Sequence, residues 1–221
     1  MRRVVVVLGV IGLLLILTAP ASAGGPGWNL RLYGAGMDPD LDRMVPSENP
    51  DEIRVKALSD FGFGASLEYQ FNDRLGIELG GMWASPDIEL SAEIPDYGLL
   101  KLTDSMSTQV TTLDLNFHLT PNSPSFDFYI GAGVANVGFD DLHYVDPEGD
   151  PLDIKVDGDV SWSAKAGLDI ALGQDSGWAA VGGLRYIDSD IEFRNAEDDA
   201  GDTATLSFDM FSFSVGVAYS F

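Results

Sequence analysis

From Phe211 to the last residue the chain alternates without a break. Phe211, Phe213, Val215, Val217, Tyr219 and Phe221 share one phase, and Ser212, Ser214, Gly216, Ala218 and Ser220 share the other. Successive side chains of a strand point to opposite faces, so a two-residue period with two different faces predicts a strand. Seven earlier segments follow the same rule. Their apolar phases begin at Trp28, Phe61, Leu75, Leu113, Phe126, Trp162 and Trp178, and their other phases hold mainly Gly, Ser, Ala and a few charges. No charged residue falls on the apolar phase of any of the eight, although 21% of the chain is charged.

The connections have their own pattern. Those at Asn72-Asp73-Arg74, 120–125 and 173–177 are short, and those near 38–57, 87–105, 140–160 and 194–204 are longer, acidic and expected to be loops. Eight strands with three short turns on one side and four long links on the other match the asymmetry of an outer-membrane barrel. Aromatic residues gather at both expected interfaces. Trp28, Phe71, Phe126, Trp178, Tyr219 and Phe221 lie toward the short turns, and Phe61, Trp83 and Trp162 toward the long links. A soluble lipocalin-like barrel or β-sandwich would turn its apolar face inward and meet water with Lys, Glu and Thr. Here the opposite face is built of small residues, which suit the crowded inside of a narrow barrel. The fold class expected is all-β, an eight-stranded antiparallel transmembrane β-barrel. An even strand count puts both termini on one side, expected to be the periplasm. Asp209 falls on the lipid-facing phase, which raises the alternative of a β-bulge there.

Composition changes the picture in two ways. Twelve Lys and Arg stand against 35 Asp and Glu, a net charge of −23, yet mean hydropathy is slightly positive at +0.07. A barrel resolves this, with apolar residues toward lipid and acids in the watery ends. The acidity argues against nucleic acid as a partner, since phosphate binding needs a basic face. The absence of Cys excludes disulfides, thiolate metal sites, iron–sulfur clusters and a lipid-modified cysteine anchor. With two His, no His-rich metal site is possible, and no cofactor is expected.

Residues 1–23 carry a different signal. Arg2 and Arg3 precede fourteen uncharged residues, Val4 to Leu17, followed by Pro20 and Ala21-Ser22-Ala23. The run is short for a membrane helix of about 20 residues, and small residues at 21 and 23 suit signal peptidase. Residues 1–23 therefore read as a cleaved signal peptide and 24–221 as a single barrel domain, two charge units more negative once Arg2 and Arg3 leave.

Four stretches carry a family resemblance. They are DFGFGASLEYQFNDRLGIELGG from Asp60, TTLDLNFHLTPNSPSFDFYIGAGVANVGF from Thr111, GLRYIDSDIEF from Gly183, and the ending FSFSVGVAYSF. In order and spacing the chain resembles the OmpW family of small outer-membrane barrels across nearly all of 24–221. The resemblance implies a monomeric eight-stranded barrel with a hydrophobic lumen that passes small apolar molecules, with exit sideways through the wall as one route. A last strand ending in Phe221 is similar to the terminal signal through which barrel-insertion machinery acts.

The inward phase supplies the candidate site. Toward the short turns it holds Arg31, Glu68, Glu78, Asp114, His118, Asp127, Lys165, Asp169 and Arg185. Charges enclosed in a narrow barrel must be paired or cost several kcal/mol each, so these read as a polar plug of the lower lumen. Toward the long links the phase turns apolar at Met37, Met82, Met106, Val110, Val137, Phe139, Ile187, Phe208 and Met210. Methionine adapts to varied apolar shapes, and an apolar concavity with few polar groups suits a small hydrophobic ligand. Ordinary barrel filling is the alternative.

The expected function is therefore an outer-membrane channel for small hydrophobic solutes, in contact with outer-membrane lipid and lipopolysaccharide. The rival is a sealed structural or adhesive barrel working through acidic outer loops. A lipid-modifying barrel enzyme is more remote. It would need Ser, His and a carboxylate in nucleophile, base and orienting roles, and the strand of His118 offers Asp114 and Asn116 but no Ser. The Asp-rich 140–160 link lacks the EF-hand spacing and reads as a solvated acidic loop.

Overall fold

A computed structural model describes residues 27–45, 53–94, 98–121, 123–145, 151–173, 176–195 and 204–221; the expected signal segment lies outside them. Along the chain the strands are β1 (Gly27–Asp40), β2 (Asp42–Val45), β3 (Ile53–Ala57), β4 (Asp60–Gln70), β5 (Leu75–Ala84), β6 (Asp87–Ile94), β7 (Gly98–Ser105), β8 (Thr108–His118), β9 (Phe126–Phe139), β10 (Leu142–Val145), β11 (Pro151–Asp157), β12 (Val160–Ala171), β13 (Trp178–Ile187), β14 (Asp190–Asn195), β15 (Ala204–Ser207) and β16 (Asp209–Ser220).

Eight of these close a barrel in the ring order β1-β16-β13-β12-β9-β8-β5-β4, every neighbour antiparallel. Closure joins first strand to last: Trp28 and Phe221 exchange backbone hydrogen bonds of 3.0 Å in both directions. A closed ring satisfies every backbone group between strands, the condition for crossing a bilayer without helices. Alternation assigns the faces as expected. Leu32, Leu79, Leu115, Ile130, Leu184, Phe213 and Val215 point outward and are exposed. From Trp28 to Asp38 the ten residue steps of β1 span about 33 Å, or about 25 Å along the normal at a usual tilt, enough for a hydrocarbon band.

Aromatic belts bound that band. At the short-turn end Trp28 packs on Tyr69 at 4.8 Å, Tyr69 on Phe71 at 5.4 Å, and Trp178 on Tyr219 at 5.0 Å between ring centres. At the other end Phe63 stacks on Trp83 at 5.6 Å, and Trp162 meets Tyr186 at 5.4 Å. Beyond the upper belt the outward phase turns polar: Trp83 gives way to Ser85 and Asp87, and Phe211 to Asp209.

The four long links correct the expectation of loops. Among the described residues they are largely strand, forming two four-stranded antiparallel sheets, β2-β3-β6-β7 and β10-β11-β14-β15. The inward phase runs on through them, with Met82, Ala84, Ile88 and Leu90 on one path and Leu102, Met106, Thr108 and Val110 on another. Only the outward phase changes, from apolar to charged, because above the upper belt the outside is water. Hence one path of alternation reads as a membrane strand below and as an acidic loop above. No bulge occurs at Asp209. Phe208 and Met210 both point inward, Asp209 stays outside opposite Asp40, and the ladder is interrupted at Phe208.

Candidate functional site

The interior has two layers of different chemistry. The lower one begins at Arg31 on β1. Its guanidinium lies 2.8 Å from Glu68 on β4, 3.0 Å from Glu78 on β5 and 2.8 Å from Asp169 on β12. Lys165 lies 2.6 Å from Glu78, and Arg185 lies 2.7 Å from Asp114 and 3.8 Å from Glu78. His118 places Nε2 3.0 Å from Glu68 and Nδ1 against Asp127. A ring donating from both nitrogens bridges the two acids. All nine charged positions expected to face the lumen thus join one network, and Arg31, Glu68, Glu78, Asp114 and His118 are buried. Pairing in this density is what a narrow, dry interior requires of charge.

Several members carry no charge and were not assigned to the plug from the sequence. Asn116 donates to Glu68 at 2.7 Å and to Glu78 at 3.2 Å, and Ser163 donates to Asp114 at 2.9 Å. The Tyr129 ring lies 4.9 Å from the Arg31 guanidinium and 5.4 Å from the Lys165 ammonium. It lies over Gly167, where a Cβ would come within 2.2 Å of the ring; Tyr33 covers Gly64 in the same way at 2.3 Å. The inward phase alone was signal enough for these four residues, since each sits an even number of positions from a lumen charge.

The upper layer is apolar. Met37, Met106, Val110, Val137, Ile187, Phe208 and Met210 are at most 1% exposed, Met82 is 6% exposed, and Phe139 packs against them, its ring edge-on to Phe208 at 5.1 Å. All nine expected apolar positions therefore meet in one cluster. The two sheets add Val55, Ile88, Leu142, Val156 and Ile191 to it, and Leu41 joins from between β1 and β2. Sequence reading took the segments of Leu41, Val55, Ile88, Leu142 and Val156 as loops and assigned Ile191 to neither a strand nor a link. The cluster is packed, so its residues fill the upper lumen rather than line an open concavity.

A cavity of about 50 Å³ lies where the layers meet, lined among others by Arg31, Tyr33, Thr112, Lys165, Arg185 and Met82. Arg31 Nε and Thr112 Oγ1 are buried there without a protein partner, and the volume suits one or two waters that would satisfy them. Among the described residues no group of three or more acidic, His or Cys side chains is placed to hold a metal ion. The acceptors at the two ring nitrogens of His118 are Glu68 and Asp127. The side chain of His143 lies outside the described residues.

A closed, lipid-facing ring around a charged and then an apolar interior defines a small transmembrane β-barrel. The chain matches the family model for the outer membrane protein beta-barrel domain over residues 10–221 and belongs to that family. It is similar to the crystal structure of OprG from Pseudomonas aeruginosa, at 18% identity and a TM-score of 0.62, over 90% of this chain and 98% of that one. It is similar to AlkL determined in lipid bilayers, at 15% identity and a TM-score of 0.65, over 92% of this chain and 94% of that one. Neisserial surface protein A aligns at 13% identity and a TM-score of 0.52, over 90% of this chain and all of the other. At such identities the likeness concerns the fold. None of the curated proteins matches the chain by sequence. The family match and these neighbours bear out the resemblance to the OmpW type of small barrel, and the outer membrane is its place.

Proposed function

We propose that the barrel passes small hydrophobic molecules across the outer membrane. The observation that carries this reading is the division of the interior: an apolar, methionine-rich chamber, filled by its own side chains, stands above a layer in which every charge is paired. An apolar solute gains by entering the chamber and loses by crossing the charged layer, since displacing a buried ion pair leaves unpaired charge. The charged layer then acts as a plug, and the solute leaves sideways into the membrane. In this reading the short turns and both termini face the periplasm, residues 1–23 are removed on export, the last strand ending at Phe221 engages the insertion machinery, and the barrel works as a monomer. It needs no cofactor and performs no reaction.

The test is uptake of an apolar fluorescent solute by vesicles containing the folded protein. Met82→Glu and Phe208→Asp place a charge in the chamber and are expected to abolish uptake while the barrel still shifts on an unheated gel. Unchanged uptake in such folded variants overturns the reading.

The dense packing of the upper layer favours a second reading, a sealed structural or adhesive barrel acting through its acidic outer end. Single-channel recording and co-crystallisation with an apolar ligand separate the two: a closed and empty barrel supports the second.

A further inference from the structure

The apolar chamber is shut among the described residues, so a ligand needs a moving part to reach it. The strand ladder offers one. Regular strand geometry breaks on every path from barrel to upper sheets, at Leu41, Leu58–Ser59, Ser85–Pro86, Met106–Ser107, Asp140–Asp141, Gly158–Asp159, Asp188–Ser189 and Phe208. The hydrogen bonds that persist at these breaks, from Ala57 N–H to Leu41 C=O, Leu58 N–H to Asp87 C=O, Met106 N–H to Pro86 C=O and Phe208 N–H to Ser189 C=O, each stay within the strands of one sheet. These interruptions ring the barrel just above its upper aromatic belt. Each sheet is continuous within itself, but among the described residues no ladder joins one sheet to the other, so β2, β7, β10 and β15 are free edges. The cap is therefore two leaves, each attached through four interrupted strands, and hinges of this kind absorb rotation at a few residues between rigid elements.

The two seams between the leaves differ. At one, β10 lies against β7, and Asp140 N–H donates to Ser107 C=O at 2.9 Å at its base. At the other, the β1/β16 ladder ends with Asp40 directly opposite Asp209, and β2 and β15 beyond them do not pair. Like charges directly opposed across strands disfavour pairing, so the ladder has a reason to stop there. The two interruptions beside this seam, Leu41 and Phe208, are buried apolar residues of the chamber itself, at 1% and 0% exposure.

We infer that the β2/β15 seam is the door through which an apolar ligand reaches the chamber. The leaves part there about the β7/β10 side, with Leu41 and Phe208 as the latch. The inference rests on the proposed function for what enters, but the motion is measurable without any ligand.

The chain has no Cys, so introduced pairs are specific. Met44→Cys with Thr205→Cys puts spin labels on the two edges of the door, and Thr103→Cys with Lys155→Cys puts them across the opposite side; all four positions are exposed. In lipid discs the first pair should give a broad distance distribution with a longer population, and the second a narrow one. A cleavable bismaleimide tether joining the two thiols of the Met44→Cys, Thr205→Cys variant should close the door, so that uptake of an apolar dye is lost and returns on cleavage. A narrow distribution at both seams, or equal breadth at both, overturns the door whatever the barrel transports. Undiminished uptake in the tethered protein does the same. An untethered barrel that opens in the distance measurement but takes up no dye overturns the proposed function and leaves the door standing.

Discussion

Arg31 and Asp169 are 138 residues apart in the chain and 2.8 Å apart at their charged ends. They stand on β1 and β12, three places apart around the ring. The same guanidinium holds Glu68 and Glu78 on the other flank, so one side chain ties four strands across the lumen. Its removal leaves the buried Glu68 and Glu78 and the partly buried Asp169 without their shared cation. Breaking a buried pair from one side costs about 3–5 kcal/mol. Arg31→Met is expected to lose stability on that scale in urea unfolding from vesicles. Adding Asp169→Asn should restore part of it, because Glu68 keeps His118 and Glu78 keeps Lys165, whereas the ion pair of Asp169 is with Arg31.

The rings of Tyr129 and Tyr33 each occupy the space above a glycine. At Gly167 a Cβ would meet the Tyr129 ring at 2.2 Å, so Gly167→Ala must displace the ring from Arg31 and Lys165. Overpacking of this kind costs about 1–3 kcal/mol. In a Tyr129→Ala background the same Gly167→Ala change should cost little, because contacting residues do not add. Equal cost in both backgrounds, read from unfolding midpoints, would place the strain elsewhere.

The outward band tests orientation in the membrane. Leu115 and Val215 are 56% and 69% exposed on the lipid-facing phase. Leu115→Arg and Val215→Arg are expected to cost about 2–4 kcal/mol in folding into lipid vesicles, and an arginine at Ser85, above the upper belt, close to nothing. Equal costs at all three positions would mean that the band does not meet hydrocarbon.

The free edge of β2 depends on pH. Arg54 donates to both oxygens of Asp42 at 2.6 and 2.7 Å, and this hydrogen bonding holds the Asp42 carboxyl below its ordinary value. A group whose value is lower in the folded protein stabilises it above the unfolded value, about 3.9 for Asp, and loses that contribution as pH falls through the folded one. Hydrogen exchange of β2 amides is therefore expected to speed up below about pH 4 relative to β3. In Arg54→Gln that acid-induced difference should vanish, with β2 exchanging faster at neutral pH already.

Much of this protein is local and was legible along the chain. Alternation assigned Phe213 and Val215 to lipid and Ser212 and Ser214 to the lumen, and it placed each lumen charge on the inward phase. It failed at Val55, Ile88, Val156 and Ile191, whose inward phase is as regular as that of the barrel. Their outward neighbours Lys56, Asp87, Asp157 and Glu192 face water, so the apolar outer face used to recognise a strand was missing there. The segment's period was intact, and only the solvent had changed.

The sequence alone determined which face each residue takes, because a two-residue period is a property of the strand itself. It also determined the eight barrel strands, since each carries its own lipid-facing phase. Only the tertiary structure decided which charges meet. That depends on the stagger at which the ring closes, and it sets Arg31 beside Glu78 and Asp169 although neither β5 nor β12 neighbours β1. Tertiary structure likewise decided that the upper strands form two leaves and not a taller barrel. Pairing continues only where facing edges agree, and at Asp40 and Asp209 two carboxylates of the same sign come opposite each other.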